Sequence, residues 1–241
     1  MMFVLADNAV YCRHLQGLYE YLDIPNRKEM GNHPIDTDML CNGGVKTEDS
    51  YEIEFCNVSF RYPGAKEDSL RNLSLKFKLG KRLAIVGKNG SGKSTFIKLL
   101  CRLYDPTEGE IRLNGVDIRK YDYEEYLKIF SVVFQDFKLF SFSLGQNVAT
   151  AMEYDREKAG QCLVKAGLSK RLESMPKGLD TALYKDFESE GVEISGGEAQ
   201  KVALARALYK DAPVVVLDEP TAALDPIAEA EVYTKFNELI G

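Results

Sequence analysis

Three stretches of the chain alternate apolar and polar residues, as half-buried β-strands do. YEIEFCNVSFRYP begins at Tyr51, and SLRNLSLKFKLG, which begins at Ser69, repeats the alternation. In EIRLNGVDI two shorter runs flank Asn114-Gly115, a dipeptide typical of tight hairpin turns. The pattern therefore predicts a small antiparallel sheet.

Other apolar runs are continuous. Leu83–Val86 and Val214–Leu217 have the form expected of parallel strands buried on both faces, and SVVFQD, from Ser131, is a weaker candidate. Strands that alternate with helices predict a mostly parallel α/β core. The helical patterns between the strands cover Ser94–Leu103, roughly Arg156–Ala166 and Gly197–Tyr209.

The first 50 residues have a different character. Residues 1–24 carry apolar positions near helical spacing and predict a helix that ends before Pro25, whereas residues 25–50 are polar and rich in proline and glycine, as linkers are. A domain is predicted over residues 51–241.

Composition and charge narrow the function only slightly. The 241 residues are of ordinary globular composition, and their net charge is −6. Because proteins that bind a phosphate backbone are usually basic, this charge disfavours nucleic acid as the main partner. No stretch reaches the roughly 18 apolar residues that a membrane span requires.

A glycine-rich loop, GKNGSGKST, follows Leu83–Val86 with the Gly-x-x-x-x-Gly-Lys-Ser spacing of a phosphate-binding loop. Glycines let backbone N–H groups turn toward a polyphosphate, and the next helix directs the positive end of its dipole at the same anion. The lysine reaches the β- and γ-phosphates and the serine hydroxyl binds Mg²⁺. The flanking elements disfavour the alternative, a chance glycine-rich turn. The predicted nucleotide-binding residues are Gly87, Asn89, Gly90, Ser91, Gly92, Lys93, Ser94 and Thr95.

An acidic pair, Asp218-Glu219, follows Val214–Leu217. Ligands of open α/β sheets gather at the carboxyl ends of strands, so Asp218 is placed to hold Mg²⁺ directly or through water. Glu219 is placed to act as a general base on the water that attacks the γ-phosphate. The alternative is a surface acidic pair that ends a strand, which the phosphate loop makes less attractive.

A second helix start, Ser195-Gly196-Gly197, has the composition of an anion-binding helix N-terminus. One nucleotide does not obviously need two such sites in one chain. Alternatively, Ser195 is an ordinary N-cap followed by flexible glycines.

Together these motifs resemble the nucleotide-binding domain of ATP-binding cassette (ABC) proteins, from Tyr51 onward. ISGGE differs from the family signature LSGGQ by isoleucine for leucine and by glutamate for glutamine, which adds a negative charge at Glu198. The matched motifs are Tyr62 (the aromatic residue that stacks on adenine), Gly87–Thr95 (Walker A), Gln135 (Q-loop), Ile194–Glu198 (signature), Val214–Glu219 (Walker B) and Ala223–Asp225 (D-loop).

The resemblance implies a P-loop α/β fold with an antiparallel β subdomain and a helical subdomain at about residues 137–196. It also implies that two such domains pack head to tail, with ATP between the Walker A loop of one and Ser195, Gly196 and Gly197 of the other. Lys93, Gln135 and Glu219 would be catalytic, and Ser94, Gln135 and Asp218 would hold Mg²⁺.

The family also implies partners and a location. In exporters with fused domains, a segment like residues 1–24 links the last membrane helix to the ATPase domain, and an acidic loop like that before Ser195 contacts the membrane domains. The alternatives are an unrelated N-terminal helix and a plain solvated acidic loop. We therefore expect transmembrane domains as partners and a location at the cytoplasmic face of the cell membrane. The family pattern continues past Gly241 to a switch histidine, so the chain is expected to be a fragment with weak hydrolysis of its own.

Two rival functions are weighed against transport. The first is a soluble ABC ATPase acting on DNA or ribosomes, disfavoured by the acidic charge, the single cassette and the absence of a coiled-coil insertion. The second is a degenerate cassette that binds ATP as a regulatory switch, disfavoured by the intact Glu219.

Overall fold

The computed structural model describes residues 16–24, 31–35, 51–79 and 83–218. Glu219 and Ala223–Asp225 lie outside these ranges, as does most of the predicted linker. Of the predicted N-terminal helix only the end is described: residues 16–22 are helical and their side chains are exposed. Within the described ranges, every helix is too short or too polar to cross a membrane.

The alternating stretches form a four-stranded antiparallel sheet in the order β2-β1-β3-β4. Leu113 pairs with Val116 across the predicted Asn114-Gly115 turn, and both turn residues have positive φ. The predicted hairpin is therefore confirmed. The strands are β1 (Glu52–Phe60), β2 (Leu70–Lys78), β3 (Glu108–Leu113) and β4 (Val116–Asp117).

A bulge bends β1 in its middle. The pairing register shifts after Phe55 on the β2 side and after Cys56 on the β3 side, and Asn57 has φ of 49°. Gly109 approaches this bulge so closely that a β-carbon there would overlap the Asn57 carbonyl. Only glycine fits at this position, where φ is also positive.

Helix α1 (Lys93–Leu100) packs on the antiparallel sheet. The ring of Phe96 stacks on that of Phe55 with centroids 4.6 Å apart, and Leu99 and Leu100 are buried in the same core. This packing fixes the helix start, and with it the glycine loop, against the start of β2.

Two further strands pair in parallel: β5 (Phe130–Val133) and β6 (Val214–Leu217). Alternate residues of β6 contact different cores: Val214 and Val216 pack with the cluster beneath the sheet, whereas Val215 and Leu217 pack with the cluster among the helices. This two-sided packing is what the continuous apolar run predicts.

Most of the remaining helices follow a residue whose side chain caps them, whereas the helix Ser169–Ser174, which follows Leu168, has no side-chain cap. Ser143, Asp155 and Ser195 each accept a hydrogen bond from the backbone N–H three residues later, which satisfies one of the unpaired groups at a helix start. The helices are α2 (Tyr123–Lys128), α3 (Leu144–Ala149), α4 (Arg156–Lys165), α5 (Ser169–Ser174) and α6 (Gly196–Lys210), and single 3₁₀ turns cover Ile118–Lys120 and Gly178–Asp180.

The predicted strand at Leu83–Val86 is wrong. These residues have no regular secondary structure, and the side chain of Val86 is 93% exposed. An apolar run becomes a buried strand only where a neighbouring strand takes up its backbone hydrogen bonds and other elements cover its faces. The described part of the chain supplies neither to this segment, and the parallel sheet there consists of β5 and β6.

Candidate nucleotide site

The glycine loop closes as an exposed turn that leads directly into α1. The Ser91 N–H donates to the Lys88 carbonyl at 3.1 Å, and α1 begins at Lys93, immediately after Gly92. Gly92 has no side chain with which to cap the helix, and no side-chain hydrogen bond caps the start of α1. This arrangement leaves a helix N-terminus open to an anion.

The structure explains why the loop needs glycine at Gly92. This residue has φ of 91°, in the left-handed region that side chains disfavour. A β-carbon there would also lie 2.7 Å from Leu70 Cδ2 and 2.9 Å from the Ser69 carbonyl oxygen. Position 92 therefore excludes other residues on two independent grounds.

Lys93 lies across the loop it follows. Its Nζ donates to the carbonyl oxygens of Gly87 and Lys88 at 3.0 and 3.3 Å. The ammonium group is thus held beside the turn, where it can offer its charge to a phosphate that the loop surrounds.

Two predicted Mg²⁺ ligands meet although 124 positions separate them. Ser94 Oγ donates to Asp218 Oδ1 at 3.1 Å, and the Asp218 side chain is buried. The Asp218 N–H donates to the Val133 carbonyl at 2.9 Å, which ties the end of β6 to the end of β5. Gln135 is exposed in the turn just after β5, at the same edge of the sheet.

The predicted adenine-stacking residue, Tyr62, is half-buried beside α1. Its Oη shares a hydrogen bond of 3.2 Å with Thr95 Oγ1, and its ring meets those of Phe60 and Tyr104 edge-on. Lys98 Nζ lies 5.8 Å from the ring centroid. In this structure the hydroxyl of Thr95, a predicted nucleotide-binding residue, fixes Tyr62 to α1.

The signature residues Ser195, Gly196 and Gly197 open α6 with a complete capping box. Ser195 Oγ accepts from the Glu198 N–H at 3.3 Å, and Glu198 Oε2 accepts from the Ser195 N–H at 2.9 Å and from Ser195 Oγ at 3.0 Å. The interpretation of Ser195 as an N-cap is therefore confirmed.

Sequence reasoning missed two arginines that hold this region. Arg171 on α5 pairs with Glu198 at 3.1 Å and donates to the Glu193 carbonyl at 2.9 Å. Both contacts join residues more than 20 positions apart, so no local pattern could have indicated them.

The second arginine, Arg206, connects α6 to the segment after Gln135. Its Nε donates to the Asn147 carbonyl at 2.9 Å and its terminal nitrogens reach the Lys138 carbonyl at 3.3 Å. Burial lowers the pKa of Arg206, although an arginine remains charged at neutral pH. The helix that begins with the signature is thereby attached to the segment that follows Gln135.

An uncapped helix start behind a glycine loop, with a strand-end aspartate bonded to the first-turn serine, defines the phosphate-loop class of nucleotide-binding domains. The comparison with protein families is more specific: the ABC transporter family matches residues 70–222, more than half of the chain. The chain belongs to the ABC transporter family, and it has the mixed α/β fold of an ABC ATPase domain.

Individual relatives support the assignment to this family. The chain is 38% identical over 232 residues to the subtilin transport ATP-binding protein SpaT of Bacillus subtilis, a match that covers 94% of this chain and 36% of the relative. It is 37% identical over 226 residues to the ATP-dependent lipid A-core flippase of Salmonella typhimurium, covering 93% of this chain and 36% of the flippase. The chain thus spans about a third of the length of these relatives.

Among solved structures, a bacterial Atm1-family ABC exporter with ATP bound superposes with a TM-score of 0.73 at 29% sequence identity. The match covers 94% of this chain and 38% of the exporter chain.

Proposed function

We propose that this chain is the Mg²⁺-dependent ATP-hydrolysing domain of an ABC transporter, and that it powers transmembrane transport from the cytoplasmic face of the membrane. The observation that carries the proposal is the hydrogen bond between Ser94 and Asp218. It joins the glycine loop to the end of β6 and so assembles the two halves of a nucleotide site. The relatives support the transport role through their names, which describe a transport ATP-binding protein and a flippase.

The residues at this edge of the sheet fit Mg²⁺. The cation prefers hard oxygen ligands, and the Ser94 hydroxyl and the Asp218 carboxylate supply two of them within hydrogen-bonding distance of each other. Gln135, in the turn after β5, would add an amide oxygen. When bound, Mg²⁺ neutralises charge on the β- and γ-phosphates.

The chain's own residues divide the remaining work. Backbone N–H groups between Gly87 and Thr95 and the Lys93 ammonium hold the phosphates, and Tyr62 provides an aromatic surface for adenine. Glu219, outside the described residues, is proposed to orient or deprotonate the attacking water. Gln135 would transmit changes at the site to the helices, because the segment after it is tied to α6 through Arg206.

We propose two partners. One is a second nucleotide-binding domain, packed head to tail, whose nucleotide would contact Ser195, Gly196 and Gly197 of this chain. The other is a pair of transmembrane domains, consistent with relatives that are nearly three times as long as the chain. Bound ATP would hold the two ATPase domains together, and its hydrolysis would release them.

ATP binding by the chain and its Lys93→Ala variant tests the proposal. Loss of a charge-assisted contact worth about 2–3 kcal/mol predicts an affinity about 30- to 150-fold lower, measured by calorimetry with Mg·ATP. Lys88→Ala is the matched control, because it removes an exposed lysine from the same loop, and it should change the affinity less than threefold. Equal affinities in the unaltered chain and Lys93→Ala would contradict the phosphate-loop assignment.

A further inference from the structure

The start of α6 already holds a negative charge. The Glu198 carboxylate folds back over the helix N-terminus and accepts hydrogen bonds from both the N–H and the hydroxyl of Ser195. A carboxylate is stable there because the helix dipole is positive at this end. Under the proposed function, the polyphosphate of a second domain would approach the same helix end, and the two anions would repel each other.

Arg171 is the cation that faces this carboxylate. Its Nε lies 3.1 Å from Glu198 Oε1, whereas Ser195 bonds the other carboxylate oxygen, and a terminal nitrogen donates to the Glu193 carbonyl at 2.9 Å. The Arg171 guanidinium therefore bridges Glu193, just before the signature, and Glu198, in the first turn of α6. Both side chains are only about one third exposed, at 32% and 28%, so solvent screens the pair incompletely.

We propose that Arg171 is a positioning residue for nucleotide-dependent association. Its guanidinium offsets the charge of Glu198 and keeps that carboxylate on Ser195. The α6 N-terminus can then accept the γ-phosphate of a nucleotide bound to the second domain. This inference rests on the proposed head-to-tail arrangement and adds to it a requirement specific to a chain with glutamate at position 198.

A merely structural role for Arg171 makes a different prediction. If the arginine only pins α5 to the turn at Glu193, its removal should harm the protein whether or not Glu198 is charged. If it offsets charge, removal should matter only while Glu198 is a carboxylate. The double substitution Arg171→Ala with Glu198→Gln separates the two roles, because glutamine keeps the size and hydrogen-bonding reach of glutamate without its charge.

The experiment measures association of the 241-residue chain by sedimentation at increasing protein concentration, with Mg²⁺ and AMP-PNP, an ATP analogue that resists hydrolysis. Calorimetry with the same analogue reports binding to the chain's own loop. Arg171→Ala should weaken association about three- to tenfold, as expected for one uncompensated charge at a helix terminus, and leave binding at the loop within twofold. The double variant should return to within twofold of the unaltered chain, and raising the salt concentration should narrow the difference between Arg171→Ala and the unaltered chain.

Two results would overturn the inference alone: association that is insensitive to Arg171→Ala, or a double variant as weak as the single one. A third result has a different meaning. If the unaltered chain binds AMP-PNP yet never associates in response to it, the head-to-tail partner is wrong and the inference fails with it.

Discussion

The two predicted phosphate-binding helix starts, those of α1 and α6, are built in opposite ways. Helix α1 begins at a left-handed glycine with no side-chain cap, and a lysine ammonium lies beside the loop. Helix α6 begins with Ser195 and Glu198 in a reciprocal capping box. The first start is open and carries a cation, whereas the second is occupied by the chain's own carboxylate.

This difference indicates that one of the two anion sites can bind a nucleotide alone, whereas the other requires a nucleotide already bound to another domain. The loop before α1 presents backbone N–H groups, Lys93 and the Ser94–Asp218 pair from a single chain, so it should bind a nucleotide unaided. The start of α6 has no lysine comparable to Lys93, and the negative charge of Glu198 there is offset by Arg171. We therefore expect the start of α6 to contact a nucleotide only when that nucleotide is already bound to the glycine loop of a second domain. Substitutions on either side can break or sharpen this contrast.

The largest effect is expected beside the α1 site, at Glu219. Glu219→Gln removes a general base while keeping its shape, so ATP binding should persist and hydrolysis should slow at least about 100-fold in the complete transporter proposed above. Single-turnover hydrolysis and equilibrium binding of ATP measure the two quantities separately. Glu153→Gln, which changes an exposed acidic residue between α3 and α4, is the control. An unchanged turnover rate would make Glu219 structural.

A matched pair of alanine substitutions tests the different construction of the two helix starts. Gly92→Ala forces a side chain into the left-handed region and against Leu70 and Ser69, so the free energy of unfolding should fall by about 1–3 kcal/mol. Gly196→Ala meets open space in the first turn of α6, so it should change stability by less than about 1 kcal/mol, with stabilisation the favoured sign. Urea denaturation of both variants decides this, and equal losses would contradict the contrast.

Local patterns predicted the elements that these two helix starts need. The hairpin turn at Asn114-Gly115, the parallel strand Val214–Leu217 and the helix after Ser195 all lie where residue spacing and turn chemistry put them. The weaker strand candidate from Ser131 forms the core of β5, the parallel partner of β6. Turn geometry, capping and periodicity act within a few residues, and a sequence displays them directly.

Contacts between positions far apart in the sequence were harder to predict. The pairing of Ser94 with Asp218 follows from recognising two motifs of one site, whereas the pairing of Arg171 with Glu198 follows from no motif. The error at Leu83–Val86 has the same origin, because an apolar run indicates the ability to form a strand and says nothing about the neighbour that must complete it. Long-range partners depend on the folded arrangement of the whole chain.

The smallest effect is expected at Ser195, and it sharpens the comparison because α3 provides an internal control. Ser143 caps α3 through the same reciprocal arrangement with Gln146 that Ser195 makes with Glu198. Either serine changed to alanine should lose about 1 kcal/mol of stability, the usual effect of an N-cap. Only Ser195→Ala should also weaken AMP-PNP-dependent association, by about fivefold, because it alone alters the helix start that is proposed to receive the partner's γ-phosphate.

Both serine variants should bind AMP-PNP at their own glycine loop within twofold of the unaltered chain, since neither residue belongs to the α1 site. Without nucleotide, the unaltered chain and both variants should be mainly monomeric. No bound anion then joins the α1 start of one copy to the α6 start of another, and no membrane domains hold two copies at high effective concentration. Sedimentation with and without Mg·AMP-PNP gives the association constants, and urea denaturation gives the stabilities. Equal association by the two variants would reduce Ser195 to a helix cap like Ser143, and a stable dimer without nucleotide would remove the dependence of the α6 site on the α1 site.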